Sequence, residues 1–177
     1  EPVAYLGGVG ILAGLTVGIL AGIFLITDFD VFDKSLKWLL GILAGAGIAC
    51  FVGLVDDIVD LRPGQKFFGQ IIAATALLVA GIYPSLHHTT RYFGFELLPQ
   101  VEFAIGIPIV IFFVLGATNS LNLLDGLDGL CAGVTAIITV AFLLLSIHRA
   151  TWGFSEVGDP VRIIVCLGMV GGVLGFL

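Results

Sequence analysis

The chain has 177 residues, 59% of them hydrophobic and only 11% charged, with a mean hydropathy of +1.17. Soluble domains carry about 25% charged residues, so a soluble monomer, a disordered chain and a secreted disulfide scaffold are excluded. Seven basic against thirteen acidic residues, a net charge of −6, leave no basic face for nucleic acid; the implied partner is the lipid bilayer.

A spanning helix needs about 20 mostly apolar residues. In chain order the apolar stretches are Val9–Ile26, Leu36–Val55, Phe67–Ile82, Phe103–Ala117, Leu130–Ile147 and Val161–Leu177. They predict an all-α, polytopic integral membrane protein of about six transmembrane helices, with residues 1–177 as one domain. Several stretches are short, which suits helices ending in half-buried polar loops. Gly14, Gly18 and Gly22 recur every fourth residue, as do Gly41 and Gly45, a spacing that lets helices approach closely. Cys50, Cys131 and Cys166 stand apart in apolar stretches and read as packing residues. The chain opens on Glu1-Pro2, without a basic signal-peptide start, and stops inside an apolar run at Leu177. The expectation is a domain truncated at both ends.

Six spans make five connections on alternating sides. Residues 28–35, 83–102 and 149–160 fall on one side, and 56–66 and 118–129 on the other. On the first side, Asp28, Asp30, Asp33, Lys34 and Lys37 read as a solvated rim and His87-His88 as surface histidines. His148-Arg149 suit snorkelling at a span end. Thr90, Arg91, Tyr92 and Phe93 around Gly94 predict a short interfacial hairpin.

The second side is the more informative. Charges beside membrane spans are costly and point to function. The segment Gly53-Leu54-Val55-Asp56-Asp57-Ile58-Val59-Asp60-Leu61-Arg62-Pro63-Gly64-Gln65-Lys66 holds three close carboxylates. On a continuous helix Asp56 and Asp60 share a face. Two adjacent acids at a span end suit Mg²⁺; equally, a solvated helix end would pair them with Arg62 and Lys66. The segment from Asn119 to Leu130 places Asn119, Asn122, Asp125 and Asp128 at every third position. Gly126 and Gly129 disfavour a regular helix there and free the backbone for close approach to a ligand. Amides and carboxylates along one edge suit a polar ligand and its metal. The parity of the connections brings both segments to one membrane face, where they can converge into a single site.

These residues resemble a known family. Gly53-Leu54-Val55-Asp56-Asp57, then Asp60-Leu61, Lys66-Phe67 and Gln70, resembles a signature of the polyprenyl-phosphate N-acetylhexosamine-1-phosphate transferases, the membrane type of glycosyltransferase family 4. So does Asn119-Ser120-Leu121-Asn122-Leu123-Leu124-Asp125-Gly126-Leu127-Asp128-Gly129-Leu130 with Gly133, and Pro2 with Gly7-Gly8 resembles an earlier family stretch. The resemblance implies transfer of a phospho-sugar from a UDP-N-acetylhexosamine to a polyprenyl (undecaprenyl) phosphate. UMP is released, Mg²⁺ is required, and the site faces the cytoplasm of the plasma (bacterial inner) membrane. It matches Asp56, Asp57, Asp125 and Asp128 to catalytic positions, with Asp56, Asp57 and Asp125 toward metal. Lys66, Asn119 and Asn122 match substrate-binding positions. The Lys66-Phe67 and Gln70 pattern is closer to the UDP-GlcNAc branch of teichoic acid or lipopolysaccharide synthesis than to the peptidoglycan branch. A homodimer is compatible with the resemblance. The family's later cytoplasmic loop with a Gly-Asp motif, expected after the last span, and its histidine-rich loop do not occur before Leu177.

The chemistry suits the residues. A phosphate oxygen attacking a pyrophosphate brings anion to anion, so positioning and charge neutralisation dominate. Lys66 offsets phosphate charge, and an ionised lipid phosphate needs no dedicated base. Two observations pull elsewhere. Lys34, Lys37, Arg91, Arg149 and Arg162 outnumber Arg62 and Lys66, so the positive-inside rule alone gives the opposite orientation. An acidic cation pathway in a transporter or channel is the competing reading, but it expects acids near mid-span rather than at span ends on one face. Cysteines introduced at Asp60 and Ser120 should react with an impermeant label from one side of the membrane, and one at Thr90 from the other. Labelling of the first two from opposite sides would break the shared-site argument.

Overall fold

The computed structural model describes residues 7–24, 29–124, 129–152 and 159–177, without the side chains of 29–31, 34, 87 and 88. Among the described residues the chain forms α1 (Gly7–Ile23), α2 (Phe29–Val59), α3 (Pro63–Val79), α4 (His87–Tyr92), α5 (Pro99–Leu124), α6 (Leu130–Thr151) and α7 (Asp159–Phe176). Each of the six apolar stretches carries a helix among its described residues. Four helical stretches are long and apolar enough to cross a membrane: Ser35–Val59 of α2, and α5, α6 and α7. The other two of the six expected spans are shorter. Helices α1 and α3 have 17 residues each, about 25 Å of rise against a hydrocarbon core of about 30 Å.

The outer surface is that of a protein in lipid. Phe51, Phe112, Ile137 and Leu144 are all more than half exposed, an arrangement that water would penalise. Hydroxyls on α6 are satisfied inside their own helix. Thr135, Thr139 and Ser146 donate to the carbonyls of Cys131, Thr135 and Phe142, so no water is needed there.

Close helix approach organises the interior. Helices α1 and α7 run antiparallel along a glycine seam, Gly14 facing Gly172 and Gly18 facing Gly168. A Cβ on Gly18 would lie 2.5 Å from the Gly168 Cα. Helices α2 and α3 form a second antiparallel pair, joined by residues 60–62, with Gly41 on Ala80, Gly45 on Leu77 and Gly69 on Val52. Helix α5 then runs back along α3. Tyr83, just past α3, meets Phe103 edge-on at 5.3 Å and also packs on Gly106. A buried core of Leu15, Ile19, Leu39, Val161 and Ile164 ties α1, α2 and α7 together. It sits toward the start of α2, at the end opposite Asp56.

The connection 83–102 is not the expected hairpin. It carries the short helix α4, and Glu102 accepts a hydrogen bond from the Leu86 backbone N–H. Helical residues there satisfy their backbone locally, which two isolated strands at an interface would not. Thr90 is buried, so Arg91, exposed beside it, is the better labelling position.

The seam makes a testable demand. Gly18→Leu must force α1 away from α7 and should lower stability by about 1–3 kcal/mol, the usual cost of overpacking. Gly47→Ala, with nothing within 4 Å of its Cβ position, should be neutral or stabilising by up to about 1 kcal/mol. Thermal unfolding in detergent compares the two, and equal effects would remove the seam's structural role.

Candidate active site

Helix α2 carries Asp56 and Asp57 in its last turns, with no basic residue in the last turn. Carboxylates at a helix C-terminus oppose the macrodipole, so something must offset them. The helix stops because Asp60 adopts a left-handed conformation (φ 54°), which Asp tolerates better than most residues. Its N–H still reaches the Asp56 carbonyl at 2.8 Å. The expectation that Asp56 and Asp60 share a helix face is therefore corrected: α2 ends between them, at Val59.

The chain then re-enters helix at once. Pro63 opens α3, a position where its missing N–H costs nothing. The Gln65 side chain accepts the Arg62 N–H at 3.0 Å. This turn aims Lys66 back at α2, where its Nζ lies 2.7 Å from Asp56 Oδ2. The other carboxylate oxygen, Oδ1, accepts the Leu61 N–H at 3.1 Å. Asp57 is exposed. The hydrogen bond to Asp56 pushes the Lys66 pKa above the ordinary lysine value, and the charges of Asp56, Asp60 and Asp57 add to that push against a smaller desolvation effect.

One turn further along α3 stands Gln70, on the same face as Lys66. Its Oε1 accepts a hydrogen bond from Asn119 Nδ2 at 3.0 Å, and the same nitrogen donates to the Leu115 carbonyl at 2.7 Å. Lys66 thus reaches the first polar segment and Gln70 the second. Asn119 and Asn122 occupy the last turns of α5, and Asn122 is exposed. Helix therefore continues through both amides to Leu124. Asp125 and Asp128 lie outside the described residues. Gly129, with φ +74°, precedes α6 in a conformation that glycine adopts freely. Sequence reasoning placed Gln70 in the signature without a role; its partner is 49 residues away, beyond any local pattern.

Among the described residues, no three His, Cys, Asp or Glu side chains are grouped to hold a metal by themselves. Mg²⁺, however, usually binds one or two carboxylates together with substrate phosphates and water. Asp57, exposed beside a paired Asp56, fits that partial donor set. The groove of about 550 Å³ between α2 and α3 is lined by Lys37, Gly41, Ile72 and Val79 among others. It does not include these acids or amides.

Comparison with known proteins gives the same direction. The family model described as Glycosyl transferase family 4 matches residues 39–177. The phospho-N-acetylmuramoyl-pentapeptide-transferase of Bacillus thuringiensis (strain Al Hakam) is 28% identical over 180 residues, covering 97% of this chain and 51% of the relative. The proteins of the same name from Bacillus cereus strains AH187 and G9842 give the same figures. The chain spans about half the length of these curated relatives. No solved structure matches it.

The raised Lys66 pKa fixes the sign of a pH dependence. A group whose pKa rises on folding stabilises the fold below its unfolded pKa, about 10.4, and loses that effect as pH climbs through the higher folded value. Lys66→Met should therefore lower the thermal midpoint at pH 7 by an amount that stays constant to pH 9. The gap to the unsubstituted protein should close only above about pH 10.4. Closure between pH 7 and 9 would show that another group carries the difference.

Proposed function

Because the chain belongs to glycosyl transferase family 4, we propose that the protein transfers a phospho-N-acetylhexosamine from a UDP-sugar to a polyprenyl phosphate. The proposed donor is UDP-GlcNAc, the by-product is UMP, and the step begins cell-envelope glycan synthesis. The family supports phosphotransferase chemistry of this general type, and the apolar helices mark an integral membrane protein. The observation that carries the finer reading is the meeting of two polar segments across one face of α3, through Lys66–Asp56 and Gln70–Asn119. The lysine-phenylalanine pattern with Gln70 supports UDP-GlcNAc over the substrate named in the curated relatives. The site is assigned to the cytoplasmic face, where UDP-sugars are made, and α1 and α3 are taken to cross with the four longer helices.

In this reading an ionised oxygen of the lipid phosphate attacks the sugar-bearing phosphorus. The new P–O bond forms as the pyrophosphate P–O bond breaks, and the electron pair leaves with UMP. Lys66 neutralises phosphate charge near the attack, and Asp56 keeps its ammonium at the start of α3. Asn119 and Asn122 hold the nucleotide sugar by hydrogen bonds without adding charge. Asp57 and Asp125 would hold Mg²⁺, and Asp128 is proposed as a further catalytic residue of the second segment. The ion would supply electrostatic stabilisation of the charge that develops on the phosphates. Asp56 is the weaker candidate for metal, because both of its oxygens already have partners. The transport reading has no comparable support.

The test is UMP release by the full-length protein supplied with Mg²⁺, polyprenyl phosphate and UDP-GlcNAc. Release should require the lipid and stop on chelation. Asp57→Asn and Asp125→Asn should each reduce it at least about tenfold, as expected where electrostatic stabilisation dominates. Asp33→Asn, at the other end of α2, should change it little. Release from UDP-N-acetylmuramoyl-pentapeptide alone would move the substrate to that of the curated relatives. No release from any UDP-N-acetylhexosamine by folded protein, or equal loss in all three variants, would overturn the assignment.

A further inference from the structure

We propose that Gln70 is a positioning residue that fixes Asn119 as a hydrogen-bond acceptor, so that Asn119 recognises a hydroxyl or N–H of the nucleotide sugar and not its phosphates. The proposal rests on the transferase reading above and deepens it. The amide protons of Asn119 are all accounted for. A backbone carbonyl only accepts, so the Asn119 atom 2.7 Å from the Leu115 oxygen must be Nδ2. Nδ2 carries two protons, and the second goes to Gln70 Oε1 at 3.0 Å. The donor capacity of Asn119 is then exhausted. What it has left to offer a ligand is Oδ1, which accepts and cannot donate.

The contact to Leu115 alone would not use up the donors. An asparagine bonded only to the carbonyl one turn back retains a second, uncommitted proton with which to approach a phosphate. Gln70 removes that option, and the backbone holds Gln70 in register. Its neighbour Gly69 is pressed against Val52 of α2, where a Cβ would sit 2.5 Å from Val52 Cγ2. Helix α3 therefore cannot slide toward α2 to release the bond. Lys66 and Gln70, one turn apart, divide the ligand between them: the lysine faces anionic oxygens, and the locked asparagine faces donors.

The experiment is steady-state kinetics on the full-length protein, varying UDP-GlcNAc and polyprenyl phosphate in turn. Gln70→Met keeps length and helix propensity but cannot replace the amide acceptor. It should raise the KM for UDP-GlcNAc about five- to tenfold, the scale of one hydrogen bond, with kcat and the lipid KM within about twofold. Gln70→Glu, whose carboxylate still accepts from Nδ2, should return that KM to within about twofold of the starting value. Asn119→Ala should raise the same KM, and adding Gln70→Met to it should change nothing further, because the two residues act as one unit. If Gln70→Met does not fold, Gln70→Lys, a donor that cannot accept, makes the same comparison. Additive effects, a change in kcat alone, a rise in both KM values, or a Gln70→Glu protein as impaired as Gln70→Met would each overturn the positioning role. An active wild type with unmoved Gln70 variants overturns this role alone, whereas a folded wild type inactive on every UDP-N-acetylhexosamine overturns the transferase reading and this role with it.

Discussion

Helix α3 lies so close to α2 that a methyl group at Gly41 would come within 2.2 Å of the Ala80 side chain, and one at Gly69 within 2.5 Å of Val52. In lipid this closeness cannot come from the hydrophobic effect, because hydrocarbon tails are as apolar as the helix surfaces. Packing and interhelical hydrogen bonds must supply it. Small residues at Gly41, Gly45, Gly69, Ala73 and Ala80 therefore set where α3 stands. Everything polar at the site end follows from that placement. Lys66 reaches back to α2, and Gln70 reaches across to α5, only because α3 is held between them.

The electrostatics at this end depart from what an isolated helix would prefer. Two adjacent carboxylates sit at the negative end of α2, and a third follows in a left-handed turn. Lys66 relieves part of this with a half-buried ion pair. Asp57 and Asp60 stay exposed, so the loop keeps acidic character toward the aqueous face. Local rules broken in one place are a common mark of functional sites. The other end of the bundle behaves conventionally. There Asp159, in the first turn of α7, is buried against Arg162, where a carboxylate agrees with the helix dipole.

Much of this architecture was legible in the sequence, and the exceptions have physical causes. Hydropathy located all six long helices, because lipid imposes a nearly continuous apolar run on a spanning segment. It did not fix their ends. Helix α2 extends beyond Val55 to Val59, since nothing stops a helix until Asp60 turns left-handed. Helix α5 runs through Asn119 and Asn122 to Leu124, and the break expected at Gly126 falls outside the described residues. The interfacial hairpin became α4, for short polar stretches carry little information about helix or strand. Lys66 pairs with Asp56, as a solvated helix end would have it, while the adjacent Asp57 stays exposed. The bond from Asn119 to Gln70 joins residues 49 apart, and only the packing of α5 on α3 makes it visible. The placement of Asp125 and Asp128, called from spacing, lies outside the described residues.

The glycine seam between α1 and α7 has a consequence for biosynthesis. Gly18 and Gly168 are separated by about 150 residues of chain. At synthesis rates of roughly 5–20 residues per second, that interval is about 8–30 seconds. Throughout it α1 has no α7 to meet, and its row of glycines faces lipid or a temporary companion. The pairing of α2 with α3 needs no such wait, since three residues separate the two helices. The α2–α3 pair can thus close before α1 meets the neighbour it was shaped for.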